Sequence, residues 1–254
     1  MTSNGDCICQ LLEKEWDLTS VGGSFMQVVM GLSGGLDSTT LLGVLLNGGK
    51  TVHCCIFDYG STHGKYEIEA ANKVVEYYQE KYPGRVFKHS IDITSVMSLF
   101  SSNLLLKCGR PIPEGDYSVE NMKQTVVPSR NLIFASIMAG IAESIGAHYI
   151  ALGVHGGDHP IYSDCRPEFV EALRSVIELS SEGKISVLTP FVNISKADIL
   201  KIGYSLPVPV PYHLTRSCYK NQPVSCGKCG TCRERLQAFA EINKTDPIEY
   251  ETES

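Results

Sequence analysis

The stretch QVVMGLSGGLDSTTLL, residues 27–42, changes its period in the middle. Residues 27–32 form a short apolar run of the kind that makes a buried strand, Ser33-Gly34-Gly35 interrupts it, and residues 37–46 space their apolar side chains as a helix does. A strand, a tight turn and a helix follow one another directly. Two glycines let the backbone turn sharply and bring bare N–H groups against an anion, while the start of the helix adds its partial positive charge. Ser33, Ser38 and Thr39 add hydroxyl donors. Asp37 would repel a phosphate directly, so its place here makes sense if it helps hold a Mg²⁺ that bridges phosphates. The same residues also describe an ordinary glycine-rich turn with a Ser or Asp helix cap.

Outward from this unit the alternation continues. Strand-like runs fall at 52–57, 86–91, 148–154 and 185–188, and helical periods at 67–82, 131–145, 168–179 and 195–204. Strand and helix alternating in this way predict an α/β fold with a doubly wound, mostly parallel sheet. Residues 107–128 are polar and carry Pro and Gly without a period, which predicts a long loop able to act as a lid. Pro207-Val208-Pro209-Val210-Pro211 can be neither helix nor central strand and predicts an extended connector to a separate module. The expected organisation is an N-terminal extension over 1–25, an α/β domain carrying the anion-type turn over 26–206 and a small helical, cysteine-bearing module over 207–254.

The chain has 254 residues, 22 Lys and Arg against 28 Asp and Glu, and a net charge of −6. That balance argues against a protein held to nucleic acid by neutralising phosphates. With 43% hydrophobic and 20% charged residues it is globular in composition, and the sequence offers no uninterrupted apolar run of membrane length. Glu13, Glu15 and Asp17 in the N-terminal segment do not read as a secretory signal, so a reducing cytoplasm is expected. There the ten cysteines are metal ligands, reactive groups or core fillers. Cys218, Cys226, Cys229 and Cys232, spaced C-x7-C-x2-C-x2-C, suit a tetrahedral Zn²⁺ closed to water. An iron–sulfur reading would require a further ligand at position 236, which is Leu236. Arg216, Lys220, Lys228 and Arg233 around the ligands either offset the thiolate charge or form solvated surface. Gly48-Gly49-Lys50-Thr51 mimics the tail of a kinase-type phosphate loop, but Val44 stands where its first glycine should be, and it follows a helix. No G-x-G-x-x-G occurs, so nicotinamide or flavin chemistry has no support.

SGGxDS after a strand resembles the PP-loop of the ATP pyrophosphatases, which cleave ATP between the α and β phosphates. Joined with Phe57-Asp58-Tyr59-Gly60 and His63, Val127-Pro128-Ser129-Arg130-Asn131, Tyr162 through Phe169, Thr189-Pro190 before Ser195-Lys196, and Ser217 through Cys232, the chain resembles the QueC family over about 26–239. The resemblance implies conversion of 7-carboxy-7-deazaguanine, ammonia and ATP into a nitrile by way of an amide, with Mg²⁺, one zinc per subunit and a homodimer. Leu32, Ser33, Gly34, Gly35, Leu36, Asp37, Ser38, Thr39, Thr40, Leu41 and Leu42 would then cradle ATP, and the four clustered cysteines would hold zinc. Tyr59, Arg130, Asn131, Asp164, Arg166 and Glu168 are the candidate substrate contacts. A carboxylate such as Asp164 or Glu168 can accept the paired donors of a guanine-like edge, and a guanidinium can grip a carboxylate or pyrophosphate. Arg166 would hold the substrate acid and Arg130 the leaving pyrophosphate; alternatively Arg130 caps its helix, and Asp164 with Arg166 is a local ion pair. His63 is either a proton-transfer group or structural, and His155 and His159 are expected near the site.

Ser61 and Thr62 stand where the family has Gln and a basic residue, and Ile161-Tyr162-Ser163 where it has Gly-Tyr-Pro. These departures leave a second reading open: a QueC-like ligase joining the deazaguanine acid to another amine, such as a protein N-terminus in anti-phage defence. A PP-loop tRNA thiolase and a nucleotide-binding module without turnover complete the expectations.

Overall fold

In the computed structural model, residues 26–108, 111, 112, 114, 122–158 and 160–251 are described. The expected extension over 1–25, much of the expected lid loop and His159 lie outside them. Strand β1 (Gln27–Gly31) runs into helix α1 (Leu36–Asn47), then come β2 (Thr51–Asp58), α2 (Gly64–Lys81), β3 (Val86–Asp92) and the single turn α3 (Thr94–Met97). After the long connection follow α4 (Arg130–Ile145), β4 (Tyr149–Ala151), α5 (Pro167–Ser180), β5 (Ser186–Leu188), α6 (Lys196–Ser205) and α7 (Gly230–Glu241). The strands make one five-stranded sheet in the order β3-β2-β1-β4-β5, with every neighbouring pair parallel. This is the doubly wound arrangement that the alternation predicts.

Side chains alternate across the sheet as a pleated strand requires. Val28, Met30, Cys54 and Ile56 join a core with α1, α2, α6 and α7, while Val29, Cys55 and Phe57 join a second core with α4 and α5. The three layers are thus helices, sheet, helices. By length and composition, residues 123–145 would suffice to cross a membrane, which the sequence reading did not anticipate. Within α4, Ala135, Met138, Ala139 and Ala142 are buried in the second core, so part of this apolar character is spent on packing.

One expectation needs correction. The strand expected over 148–154 spans only Tyr149–Ala151, because the chain then leaves the sheet and Gly153 lies against the start of α1. The segment after residue 206 shares part of the sheet's core: Val210, Tyr212, Ala238 and Phe239 belong to the same core as Leu41 and Leu42. The Tyr212 hydroxyl meets Thr40 Oγ1 at 3.0 Å, and burial pushes that phenol's pKa up. So short a segment carries too few apolar residues to bury a core of its own, and it borrows that of the sheet. Three residues near the end of the expected lid pack inward: Met122, Thr125 and Val127 are buried, and Thr125 Oγ1 lies 3.0 Å from the Tyr162 hydroxyl.

Candidate active site

In a doubly wound sheet the two strands whose connections leave in opposite directions open a crevice at their carboxyl ends. Here these are β1 and β4, neighbours whose following segments are the glycine turn and Leu152-Gly153-Val154-His155. A cavity at this place is lined by both segments, by Tyr59, His63 and Glu67 after β2, by Arg130 and Phe134 of α4, and by Lys196, Arg216, Tyr219 and Glu234.

Gly34 adopts φ +74°, and a Cβ there would stand 2.5 Å from the Ala71 amide nitrogen and 2.9 Å from the Glu67 carbonyl oxygen. Both the left-handed conformation and the contact with the α2 backbone therefore demand glycine. Gly35 caps α1, Ser33 Oγ accepts from the Gly35 N–H at 3.2 Å, and Ser33 and Ser38 hydroxyls lie 3.0 Å apart. The Arg216 N–H donates to the Gly34 carbonyl at 2.9 Å, tying the turn to the segment before the cysteines. Thr39 Oγ1 and Asp37 Oδ1 are buried without a hydrogen-bond partner, which is costly unless a ligand completes them. Of the eleven expected cradle residues, Leu32, Ser33, Gly35, Leu36, Asp37 and Ser38 line the cavity. Gly34 shapes the turn from behind. Thr39, Thr40, Leu41 and Leu42 are buried on the far side instead, since a helix can present only one face to the crevice.

Asp37 sits in a charged cluster. Lys196 Nζ lies 3.5 Å from its Oδ2 and 2.6 Å from Glu234 Oε2, and His155 Nε2 lies 3.8 Å from the same Oδ2. His155 Nδ1 accepts the Gly157 N–H at 3.0 Å, which places its proton on Nε2, facing Asp37. Arg130 lies 5.8 Å over the Tyr59 ring. Burial works against its charge, but Tyr59, Tyr219, Tyr162 and Asp164 outweigh it and hold its pKa well above the ordinary value. Burial, then the Glu67 carboxylate, pushes the Tyr59 phenol up, so it remains a neutral donor. His63 is buried, its Nε2 lies 3.3 Å from Glu67 Oε2, its ring stacks at a tilt against Tyr219, and its Nδ1 has no hydrogen-bond partner.

The remaining expected contacts are placed differently. Asp164 accepts the Asn131 N–H at 3.0 Å and so caps the start of α4, while Asn131 Nδ2 donates to the Asp164 carbonyl. Asn131 reaches the cavity; Asp164 stands behind it. Arg166 and Glu168 are exposed at the start of α5 and do not line the cavity. Sequence reading missed Glu67, Phe134, Tyr219 and Glu234, and gave Lys196 and Arg216 no place in the cavity. Only the i, i+4 spacing of His63 and Glu67 carried a local signal.

The four cysteines Cys218, Cys226, Cys229 and Cys232 are buried with their sulfur atoms all within 4.8 Å of one another. Backbone N–H groups of Lys220 and Cys226 point at Cys218 Sγ, and those of Lys228 and Cys229 at Cys226 Sγ, at 3.3–3.4 Å. Hydrogen bonds with Cys218 and Cys232 hold the Cys229 thiol far below its ordinary range. Clustered sulfurs with donors aimed at them are a set that could hold a tetrahedral metal ion. Just beyond, the wholly buried Arg235 grips Asp246 at 2.7 and 2.9 Å and Thr215 Oγ1 at 2.7 Å, and the Tyr250 hydroxyl also donates to Asp246. Of the basic residues near the cluster, Arg216 donates to the Lys220 and Gln222 carbonyls and stacks 4.8 Å over Tyr66, while Lys220 pairs with Glu114.

A parallel doubly wound sheet with a glycine turn at its switch point and a buried four-cysteine cluster defines a doubly wound α/β protein with a candidate ligand crevice and a candidate metal centre. The chain belongs to the family described as queuosine biosynthesis protein QueC, which matches residues 27–243. It is similar to the 7-cyano-7-deazaguanine synthase of Caldicellulosiruptor saccharolyticus, 46% identical over 90% of this chain and 97% of that protein. The enzyme of the same name from a Marinomonas species is 43% identical over 89% and 98%. Among solved structures, NMN synthetase from Francisella tularensis aligns over 94% of this chain and 86% of its own at 14% identity and a TM-score of 0.49.

Proposed function

We propose that this protein is an ATP-dependent 7-cyano-7-deazaguanine synthase that adenylates 7-carboxy-7-deazaguanine and passes the acyl group to ammonia. The observation that carries this reading is the glycine turn at the β1–β4 crevice, where the cavity-lining Asp37 has its Oδ1 buried without a partner, in a chain related to synthases along nearly its whole length. A carboxylate oxygen leaves poorly, whereas AMP leaves readily, so transfer of the adenylyl group creates an acid that an amine can attack. The product of that attack is an amide, a proton and AMP. The amide oxygen faces the same difficulty, and a second adenylation lets it depart as AMP, leaving the nitrile.

The turn's N–H groups and the start of α1 would bind the phosphates, and Arg130 would steady the charge of departing pyrophosphate. Mg²⁺ held with Asp37 would shield the triphosphate charge. His63, oriented by Glu67, would take a proton from the attacking ammonia. Tyr59 and Asn131 would border the acid, whereas the exposed places of Arg166 and Glu168 favour Arg130 as the guanidinium nearest the chemistry. Zn²⁺ on Cys218, Cys226, Cys229 and Cys232 would be structural, since four thiolates leave water no position, and it would hold the start of α7 beside the cavity.

The test is a product assay with 7-carboxy-7-deazaguanine, ATP, Mg²⁺ and ammonium, followed by mass spectrometry. Two AMP per nitrile is expected. Absence of AMP would overturn the proposal, and one AMP per amide with no nitrile would favour the ligase reading.

A further inference from the structure

Lys196 and Glu234 are 38 residues apart in sequence and meet at 2.6 Å beside the phosphate turn, yet the reaction as written gives Glu234 nothing to do. The same ammonium stands 3.5 Å from Asp37 Oδ2, so two carboxylates share it and Glu234 has the closer hold. All three side chains are largely buried, with 10%, 22% and 16% of Lys196, Asp37 and Glu234 exposed, so their mutual attractions are weakly screened.

Glu234 has little freedom to follow the lysine elsewhere. It sits on the first turns of α7, two residues after Cys232 and next to Arg235, which is fixed by Asp246 and Thr215. Its other oxygen packs against Gly157 so closely that a Cβ there would fall 2.7 Å from Oε1. Asp37 is on α1 and Lys196 opens α6, so three helices set the three charges.

An ammonium shared between two anions closes on whichever remains when the other is removed. Without the Glu234 charge Lys196 would pair fully with Asp37, and a carboxylate neutralised in that way competes poorly for a divalent cation. We infer that Glu234 is a positioning residue that holds Lys196 off Asp37, keeping the Asp37 carboxylate available to the divalent cation that accompanies ATP. The inference rests on the ATP-using reading above.

It is tested on the full chain by comparing wild type, Glu234→Gln, which keeps shape and loses charge, and Glu234→Asp, which keeps charge on a shorter arm. The measurements are the Mg²⁺ concentration for half-maximal AMP release, kcat at saturating Mg²⁺, and Mn²⁺ affinity in the presence of α,β-methylene ATP by electron paramagnetic resonance. Thermal melting and metal content of the cysteine cluster are recorded alongside. For Glu234→Gln the half-saturating Mg²⁺ should rise and Mn²⁺ affinity fall about tenfold, the size of one partly buried charge contact, while kcat at saturation stays within about twofold. Glu234→Asp should recover most of the loss. Unchanged Mn²⁺ affinity, or a fall in kcat that excess Mg²⁺ does not restore, overturns the inference. If Glu234→Gln does not fold, Glu234→Asp decides, because the shorter arm should still weaken Mn²⁺ measurably. A wild type that releases no AMP brings down the reading of function, whereas an active wild type matched by its variants brings down this inference alone.

Discussion

Replacing Gly34 with alanine puts the phosphate turn under a strain that can be worked out beforehand. The residue has φ +74°, and a left-handed conformation costs a non-glycine residue about 1–2 kcal/mol. The new Cβ would also stand 2.5 Å from the Ala71 amide nitrogen, about 0.9 Å short of ordinary contact, and backbone inside α2 cannot swing aside as a side chain would. Overpacking of this kind adds about 1–3 kcal/mol, for a total of about 2–5 kcal/mol unless the turn retreats. A turn that retreats by most of an ångström misplaces its N–H groups, and such a shift lowers turnover about 100-fold. Gly49→Ala is the internal control: its φ is +80°, but nothing lies within 4 Å of the added carbon, so it bears the conformational term alone. Chemical denaturation and AMP release measured on both variants separate the two effects. The reasoning is refuted if Gly34→Ala matches Gly49→Ala in stability and wild type in AMP release.

Three further outcomes follow from the packing. Arg235→Met should lower stability by about 3–5 kcal/mol in urea melts, because Asp246 would remain buried with its cation removed; a loss below about 1 kcal/mol would contradict the role given to this pair. Stripping metal from the cysteines with a strong chelator should lower a single calorimetric transition, since Tyr212 and Phe239 share the core of the sheet; a separate early transition would restore the two-module view. Asp198→Ala should cost about 0.5–1 kcal/mol at neutral pH, because Asp198 and Ser195 cap α6 reciprocally. Hydrogen bonds from Lys201, then Ser195, hold the Asp198 carboxyl below its ordinary range against its burial. Its contribution is therefore present above the unfolded-state pKa and lost as pH falls through the lowered folded one, so variant and wild type should converge in melts as pH falls below the ordinary carboxylate range.

Much of the site was legible locally. The glycine turn between a β run and a helical period marked a segment that lines the β1–β4 crevice, and the C-x7-C-x2-C-x2-C spacing announced a cluster that the structure closes to within 4.8 Å. Both signals are short in sequence because turn geometry and metal-ligand spacing are local properties. His63 was legible as a candidate, whereas its partner Glu67 looked like one more charge on a helix. Arg166 and Glu168 looked functional by neighbourhood, but the residues at the start of α5 face outward while Asn131 reaches in.

From the chain alone one obtains the alternation of elements, the parallel sheet, the turn and the thiol cluster, because each depends on backbone preference and side-chain period over a few neighbouring residues. Strand order, and with it the choice of the β1–β4 gap as the crevice, depends on how distant segments bury their apolar faces together. So do the return of residues 207–251 into the main core and the meeting of Lys196, Asp37 and Glu234. Those contacts join residues far apart in sequence, and only the packing of three helices around one sheet brings them within a few ångströms.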